Sequence, residues 1–271
     1  MSYNANNTHN PPNDLLDDLE MRITADGSKT LYSTAYKQTF HSDKGALAES
    51  RHVFVEGTAL PFRLRSQTRV RVLEVGFGTG LNFLLSAQEA SNHPSTLEYY
   101  ALEKTLLPRE VLEPLDYHQL LADSDMWQHF LGWRQHLNLE QVMTRSAHAF
   151  DWRNVHLKLL LGDARDRLLD LGHVVRADLD DTASDYHNLI DVVYHDAFSF
   201  DANSELWRDA FLRHLFAVLA PGGVLTTYSV KGVVRRRLAA VGFQVHKVPG
   251  PVGGKREMLI AEKGTMYPSS S

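Results

Sequence analysis

A glycine-rich turn follows the first predicted strand of the central part of this chain. The apolar run 70–75 leads into Gly76, Gly78 and Gly80, a spacing tighter than the Gly-x-Gly-x-x-Gly that is typical of dinucleotide sites. Closely spaced glycines let the backbone approach a ligand where a Cβ atom would collide. The turn and the helix start after it, which contains Asn82, therefore predict binding of S-adenosyl-L-methionine rather than a nicotinamide dinucleotide.

Carboxylates end the next two predicted strands, where ligands bind in open α/β sheets. Glu103 is spaced from the glycine turn as expected for a carboxylate that accepts hydrogen bonds from two ribose hydroxyls; a salt bridge with Lys104 or Arg109 is the alternative. Asp163, followed by Ala164, could accept a hydrogen bond from an adenine amino group. It could also cap the helix that follows, and a carboxylate has enough lone pairs for both roles.

Asp196 ends the fourth predicted strand, at the position expected to face the transferred group and its acceptor. A carboxylate there can accept a hydrogen bond from an incoming amine, orient its lone pair and favour loss of its proton. His195 is a rival base, but the alternation of a strand directs it to the opposite face, so we predict a structural role. Glu74, just before the first glycine, is expected near the amino acid end of the cofactor, since a buried carboxylate needs donors.

Composition and charge limit the classes of function. The chain has 271 residues, no cysteine and a net charge of −5. The lack of cysteine excludes disulfides and thiolate metal sites, and the 14 scattered histidines lack ligand spacing, so no metal is predicted. With no apolar run of about 18 residues and no signal sequence, we expect a soluble, cytoplasmic protein without a membrane partner. Residues 208–256 contain nine Lys or Arg and one acidic residue. This surplus of positive charge indicates either a binding surface for a polyanion or a solvated helix face.

Strands and helices alternate along the core, which predicts an α/β fold with a mostly parallel sheet. The short connection 249–254 between the last two predicted strands favours an antiparallel C-terminal hairpin. We therefore predict a seven-stranded Rossmann-like sheet of the class I S-adenosylmethionine-dependent methyltransferase type. The expected segments are a disordered tail (1–20), an N-terminal cap segment (21–65), a methyltransferase domain (66–263) with a helical insertion (106–151) and an acidic solvated loop (178–185), and a C-terminal tail (264–271).

Three stretches resemble one family, the methyltransferase half of the bifunctional MnmC proteins. They are Glu-Val-Gly-Phe-Gly-Thr-Gly-Leu-Asn-Phe at 74–83, His-Asp-Ala-Phe-Ser with Glu-Leu-Trp at 195–207, and Gly-Lys-Arg-Glu-Met-Leu at 254–259. Upstream segments extend the similarity from about Gly27 to Lys263. The resemblance implies methylation of 5-aminomethyl-(2-thio)uridine to 5-methylaminomethyl-(2-thio)uridine at the wobble position of tRNA.

The resemblance also implies roles for individual residues. Donor contacts are expected at Glu74, Gly76, Gly78, Glu103 and Asp163, with Asp196 as the site aspartate. For the anticodon stem-loop we expect phosphate contacts from Lys231, Arg235, Arg236, Lys255 and Arg256. We expect stacking on an unpaired base from Phe198 or Tyr228. The oxidase half that makes the aminomethyl group in bifunctional members lies outside the resemblance, so we expect a functional link to an enzyme that supplies this intermediate.

Other functions stay open from the residues alone. An aminopropyltransferase or another small-amine methyltransferase would use the same sheet, although an aminopropyltransferase normally needs several acids around its amine and only Asp196 stands at the right strand end. A non-catalytic tRNA- or cofactor-binding protein is the alternative from a different class. Nicotinamide-dependent oxidoreduction is disfavoured by the glycine spacing.

Overall fold

The fold is centred on one large mixed sheet. The computed structural model describes residues 18–137, 147–176 and 189–265. In chain order the eight strands of this sheet are β4 (Arg69–Val75), β5 (Thr96–Glu103), β6 (His148–Trp152), β7 (Val155–Leu161), β8 (Ile190–His195), β9 (Leu219–Thr227), β10 (Gln244–Pro249) and β11 (Glu257–Glu262). Their spatial order is β10-β11-β9-β8-β4-β5-β7-β6.

The five central strands are parallel, and antiparallel pairs close both edges. β9, β8, β4, β5 and β7 run in parallel, and β11 pairs antiparallel with both β9 and β10. The mostly parallel sheet with an antiparallel C-terminal hairpin is thus confirmed.

The predicted number of seven strands is wrong, because β6 adds an eighth. It pairs antiparallel with β7 through a two-residue turn at Arg153 and Asn154, where Arg153 has a positive φ of 52°. We had assigned its first four residues to the helical insertion. Only Phe150 of β6 is buried, so the segment lacks the long apolar run that identifies the central strands.

Helices cover both faces of the sheet, each over its own apolar core. One face packs against α2 (Leu60–Ser66), α3 (Leu81–Ala90) and α5 (Ser124–His136). The other packs against α6 (Ala164–Arg176), α7 (Asp209–Val218) and α8 (Gly232–Val241). Because both faces are buried, the central strands are apolar on both sides, as in β4.

The segment before the large sheet forms a small antiparallel sheet and a run of short helices. The strands are β1 (Leu19–Ile23), β2 (Lys29–Ser33) and β3 (Gln38–Thr39), in that spatial order. Helix α1 (Ala46–Glu49) continues directly into a π-helix (Ser50–Glu56). Two carbonyls of the π-helix accept hydroxyl hydrogen bonds, at 2.9 Å from Thr226 to Val53 and at 2.7 Å from Thr58 to Phe54. Such helices are rare and often lie at functional sites.

The connection between β5 and β6 is helical as far as the structure describes it. It contains α4 (Arg109–Leu112), two 3₁₀ turns (Glu113–Leu115 and Tyr117–Gln119) and α5; a third 3₁₀ turn (Ser204–Trp207) precedes α7. Leu19 and Glu20, which we had placed in the tail, belong to β1. The rest of that tail (1–17), the acidic loop 178–185 and most of the C-terminal tail (266–271) lie outside the described residues.

Candidate functional site

A cavity of about 380 Å³ lies at the carboxyl ends of the central strands. Its wall contains seven of the predicted site residues: Gly76, Gly78, Glu103, Asp163, Ala164, Asp196 and Phe198. Apolar side chains such as Leu107 and Leu206 line it as well. The cavity therefore offers both carboxylates and an apolar surface to one ligand.

The glycine turn depends on backbone conformations that glycine adopts without strain. Gly76, Gly78 and Gly80 all have positive φ, at 91°, 51° and 81°. A Cβ atom on Gly76 would lie 2.8 Å from the carbonyl oxygen of Asp196. The turn is thus packed directly against the end of β8, and it begins α3, for which Gly80 is the N-cap.

Glu103 is held by two backbone amides at the end of β5. The Gly78 N–H donates to Oε2 at 2.8 Å, and the Thr105 N–H donates to Oε1 at 2.9 Å. Burial raises the pKa of Glu103, and the hydrogen bonds from backbone amides oppose that rise. Arg109, one alternative partner, pairs with Glu113 at 3.0 Å instead. Each Glu103 oxygen keeps a lone pair for a ligand hydroxyl.

Asp163 forms the capping arrangement that the sequence allowed. Its Oδ1 accepts from the Arg165 backbone N–H at 2.9 Å, and its Oδ2 pairs with the Arg165 guanidinium at 2.6 Å. These contacts lower the pKa of Asp163 to about 2. The carboxylate is therefore charged and caps α6 while it also lines the cavity.

One amide joins the buried carboxyl group of Glu74, behind the cavity, to that of Asp196 in the cavity wall. Asn82 Nδ2 donates to Glu74 Oε1 at 2.8 Å and to Asp196 Oδ2 at 2.7 Å, and the Tyr99 hydroxyl donates to Glu74 Oε2 at 2.9 Å. Glu74 is only 1% exposed, and burial raises its pKa to about 8 despite both hydrogen bonds. Glu74, Gly80 and Asn82 thus lie behind the cavity wall and support Asp196 and the turn.

Asp196 belongs to a cluster of charged and aromatic groups that we had not predicted as a whole. Burial and the nearby charges of Glu74 and Glu49 raise the pKa of Asp196, whereas Asn82 and Lys255 lower it. The Lys255 ammonium lies 3.9 Å from the centroid of the Tyr228 ring and also interacts with the Glu49 charge.

Sequence reasoning missed Glu49. It is a buried carboxylate on α1, and its Oε2 accepts from the Ser42 N–H at 2.7 Å. A Gly-Ala-Leu-Ala-Glu helix start is an ordinary surface pattern, so no local signal marked it.

The N-terminal segment contributes an aromatic wall to the cavity. Phe198 stacks on Tyr36 at 4.6 Å between ring centroids and contacts Phe40 edge-on at 5.3 Å. The Gln38 side chain donates to Ser199 Oγ at 2.7 Å and accepts from the Ser199 N–H at 3.1 Å. Tyr36 and Phe40 line the cavity but were not among our candidates, because contacts between residues so far apart in the chain leave no local pattern.

His195 occupies the opposite face of β8. It is fully buried, its Nε2 lies 3.0 Å from the Leu206 carbonyl oxygen, and its ring centroid lies 4.0 Å from that of Trp207. Burial lowers the pKa of His195 to about 4, so the ring is neutral near pH 7. Trp207 is fully buried as well, in the second core.

The basic candidates, Lys255 included, lie outside the cavity wall, as does Tyr228. Lys231 forms an ion pair with Asp201 at the start of α8, and Arg235, Arg236 and Arg256 are exposed. Their positive charge lies on the surface rather than in the cavity.

Two further searches concern metals and membranes. Residues 18–137, 147–176 and 189–265 hold no group of three or more His, Asp or Glu arranged for a metal ion. Within the same ranges, no helix has the length and apolar character needed to span a membrane.

Comparison of the sequence with known families gives one match over half of the chain. A model described as S-adenosyl-L-methionine-dependent methyltransferase matches residues 128–264.

Curated proteins and solved structures give further matches. A Cupriavidus metallidurans protein named tRNA 5-methylaminomethyl-2-thiouridine biosynthesis bifunctional protein MnmC is 35% identical over 91% of this chain and 34% of its own length. A protein of the same name from Azoarcus is 36% identical over 85% of this chain and 33% of its own length. The chain thus spans about a third of these relatives. The crystal structure of MnmC2 from Aquifex aeolicus is 28% identical, covers 93% of this chain and 73% of that one, and superimposes with a TM-score of 0.66.

Proposed function

Because this chain belongs to the S-adenosyl-L-methionine-dependent methyltransferase family, we propose that it methylates a primary amine on the wobble uridine of tRNA. The reaction converts 5-aminomethyl-(2-thio)uridine to its 5-methylaminomethyl form. The relatives named for 5-methylaminomethyl-2-thiouridine biosynthesis support this substrate. The single observation that carries the proposal is the carboxylate of Asp196 in the wall of a cavity that also contains the glycine turn and Glu103.

The residues of the cavity fit the methyl donor. S-adenosyl-L-methionine supplies an electrophilic methyl carbon on a positively charged sulfur. In this proposal Glu103, fixed by two amides, accepts the ribose hydroxyls, and Asp163 with Ala164 faces the adenine. Glu74 and Asn82 act from behind, since both are buried and hydrogen-bonded to each other.

Asp196 prepares the acceptor amine. A protonated amine has no free lone pair, so one proton must leave the nitrogen before it can attack carbon. The Asp196 carboxylate accepts that proton and directs the lone pair, while the Asn82 amide at 2.7 Å fixes the carboxylate. The aromatic wall of Tyr36, Phe40 and Phe198 helps to exclude water from this step.

The exposed basic residues are assigned to the RNA. Arg235, Arg236 and Arg256, with Lys231, contact phosphates of the anticodon stem, and an exposed base stacks near Phe198. The proposal also implies a cytoplasmic location and a functional link to the activity that makes the aminomethyl group.

Mass spectrometry of tRNA nucleosides tests the proposal. After incubation with labelled donor, label is expected in aminomethyl-bearing tRNA and not in the unmodified transcript. Asp196→Asn should lower the rate by about 10²- to 10⁴-fold, the usual contribution of a general base, while donor affinity measured by calorimetry persists. Asp209→Asn, a surface change on α7, should retain full activity. Label that enters only unrelated amines, or unchanged turnover of Asp196→Asn, would contradict the assignment.

A small-amine reaction is the second candidate. The sequence offers only one acid, Asp196, for the amine pocket of an aminopropyltransferase. In the structure Glu49 and Glu74 both interact with Asp196, so two further acids lie near it. Incubation with putrescine, with either the donor or its decarboxylated form, followed by product analysis distinguishes the two. Efficient transfer to putrescine in preference to tRNA would favour the small amine.

A further inference from the structure

Three groups that recognise an ammonium ion meet beside the candidate site. We call the carboxylates of Asp196 and Glu49 and the ring of Tyr228 the ammonium corner; each of these groups interacts electrostatically with the others. Glu49 is 6% exposed and is fixed by the Ser42 N–H at 2.7 Å. The Tyr228 hydroxyl donates to the Ala197 carbonyl at 2.9 Å, which fixes the ring next to Asp196. An aromatic face and two carboxylates bind a cation that has lost much of its water.

A lysine of the protein itself lies in this corner. The Lys255 ammonium lies 3.9 Å from the centroid of the Tyr228 ring, and its charge interacts with Glu49 and Asp196. Lys255 belongs to the connection between β10 and β11. That connection rests on the π-helix at its base, where His52 Nε2 lies 3.0 Å from the Pro249 carbonyl oxygen, whereas Val252 is fully exposed.

We propose that the ammonium corner binds the protonated primary amine of the acceptor, and that Lys255 fills it until the acceptor arrives. This rests on the proposed function, in which the acceptor is an aminomethyl group. A lysine side chain and a protonated aminomethyl group both end in a primary alkylammonium, so they satisfy the same aromatic face and carboxylates. The exchange keeps the charge of the corner constant, and no buried carboxylate loses its counter-ion.

The exchange accounts for two otherwise separate observations. Lys255 was expected to contact phosphate, yet its ammonium lies in the corner. Lys255 and Arg256 are both exposed at the hairpin, so a displaced Lys255 ammonium would lie beside Arg256, where an RNA backbone can bind both. The acceptor nitrogen then lies against Asp196, which accepts one proton from it.

Binding of a simple probe, propylammonium chloride, tests the exchange without tRNA or donor. We expect isothermal titration calorimetry at constant ionic strength to show about tenfold tighter binding to Lys255→Met than to the wild type, because the internal competitor is gone. Arg256→Met removes a neighbouring charge from the same connection and should leave the affinity unchanged. Lys255→Arg keeps a cation in the corner and should bind propylammonium as weakly as the wild type.

The second carboxylate provides an independent measurement. Adding Glu49→Gln to Lys255→Met should reverse the gain, and thermal unfolding establishes that each variant is folded. Equal affinity of the wild type and Lys255→Met overturns the proposal. An equal gain in Arg256→Met also overturns it, since the effect would then be one of net charge.

Failure of this inference and failure of the proposed function give different results. If Lys255→Met binds propylammonium more tightly than the wild type but tRNA is not methylated, the ammonium corner is supported and the tRNA substrate is wrong. If tRNA is methylated but Lys255→Met binds propylammonium no better than the wild type, only the exchange is wrong.

Discussion

The proposed donor side and the proposed acceptor side of the candidate site are built in different ways. The donor side consists of the glycine turn, Glu103 and Asp163, each at or just beyond the carboxyl end of a strand. The proposed acceptor side combines Asp196, in the cavity wall, with three residues outside that wall: Glu49 from an N-terminal helix, Tyr228 just after β9 and Lys255 from the C-terminal hairpin connection. The donor side is formed by the sheet itself. The acceptor side forms only when segments distant in the chain pack against the sheet.

We propose that this difference separates the residues that bind the donor from those that select the substrate. The donor side is fixed by short-range contacts such as the Gly78 N–H to Glu103 bond. The acceptor side can change with one helix or one hairpin while the sheet remains intact. We therefore expect substitutions on the two sides to affect different measurements.

Glu74 connects the two sides, and its removal should have the largest effect, seen in stability against pH. Burial raises its pKa in the folded protein to about 8 from its ordinary value of 4.5. Below about pH 4.5 the carboxyl is protonated in both states. Between pH 4.5 and 8 the unfolded chain releases the proton and the folded chain keeps it, so the wild type loses stability as pH rises. At about 1.4 kcal/mol per pH unit, the loss is on the order of 3 to 5 kcal/mol.

Glu74→Gln should lack this loss. Urea unfolding from pH 4.5 to 8.5 should show the free energy of unfolding falling less steeply in the variant than in the wild type. Glu110→Gln, an exposed change on α4, is the control and should follow the wild type. Parallel curves for Glu74→Gln and the wild type would mean that Glu74 is ionised in the folded protein.

On the donor side, Glu103→Gln should weaken donor binding by about a hundredfold, or about 2.7 kcal/mol. A glutamine cannot accept from both Gly78 and Thr105, because its amide nitrogen would face one of the two N–H groups. Asp163→Asn should cost less, since that carboxylate is partly exposed and already bound to Arg165. Calorimetry with S-adenosyl-L-methionine measures the donor affinity of each variant. An equal loss of affinity in Glu103→Gln and Asp163→Asn would contradict the larger role assigned to Glu103.

The smallest effect is expected at the basic surface. Arg235→Gln with Arg236→Gln should weaken tRNA binding about tenfold and reduce the slope of log K against log salt by about 2, because two phosphate contacts are lost. Donor affinity should not change. Arg65→Gln on the exposed face of α2 is the control. An unchanged salt slope in the double variant would show that the RNA binds elsewhere.

The sequence was sufficient for the parts of the site that are local. The strand ends, the glycine turn and the position of Asp196 follow from apolar runs that stop at polar residues, and the structure brings these residues to one cavity. The structural role predicted for His195 stays an interpretation, but the burial of its ring against Trp207 agrees with it.

Other parts could not be predicted for physical reasons. Strand β6 buries only Phe150 of its five residues, so it lacks the signal of a core strand. Glu49 and Tyr36 reach the site through contacts between residues more than a hundred positions apart, which spacing along the chain does not encode. Glu74 and Asn82 were expected to contact the ligand but lie behind the cavity wall, because periodicity gives the direction of a side chain and not the depth of the cavity.

The π-helix at Ser50–Glu56 has a consequence for how this protein can vary. A π-turn holds more residues than an α-turn, so it sets the rotational phase between Glu49, which precedes it, and Phe54, which packs in the core. Because a π-turn takes up about one extra residue in the same full rotation, deleting one residue there would restore an ordinary α-turn and leave the direction of Glu49 nearly unchanged. One residue removed from a regular α-helix would instead rotate it by about 100°. A one-residue deletion confined to the π-helix should therefore keep the sheet, its glycine turn and the direction of Glu49.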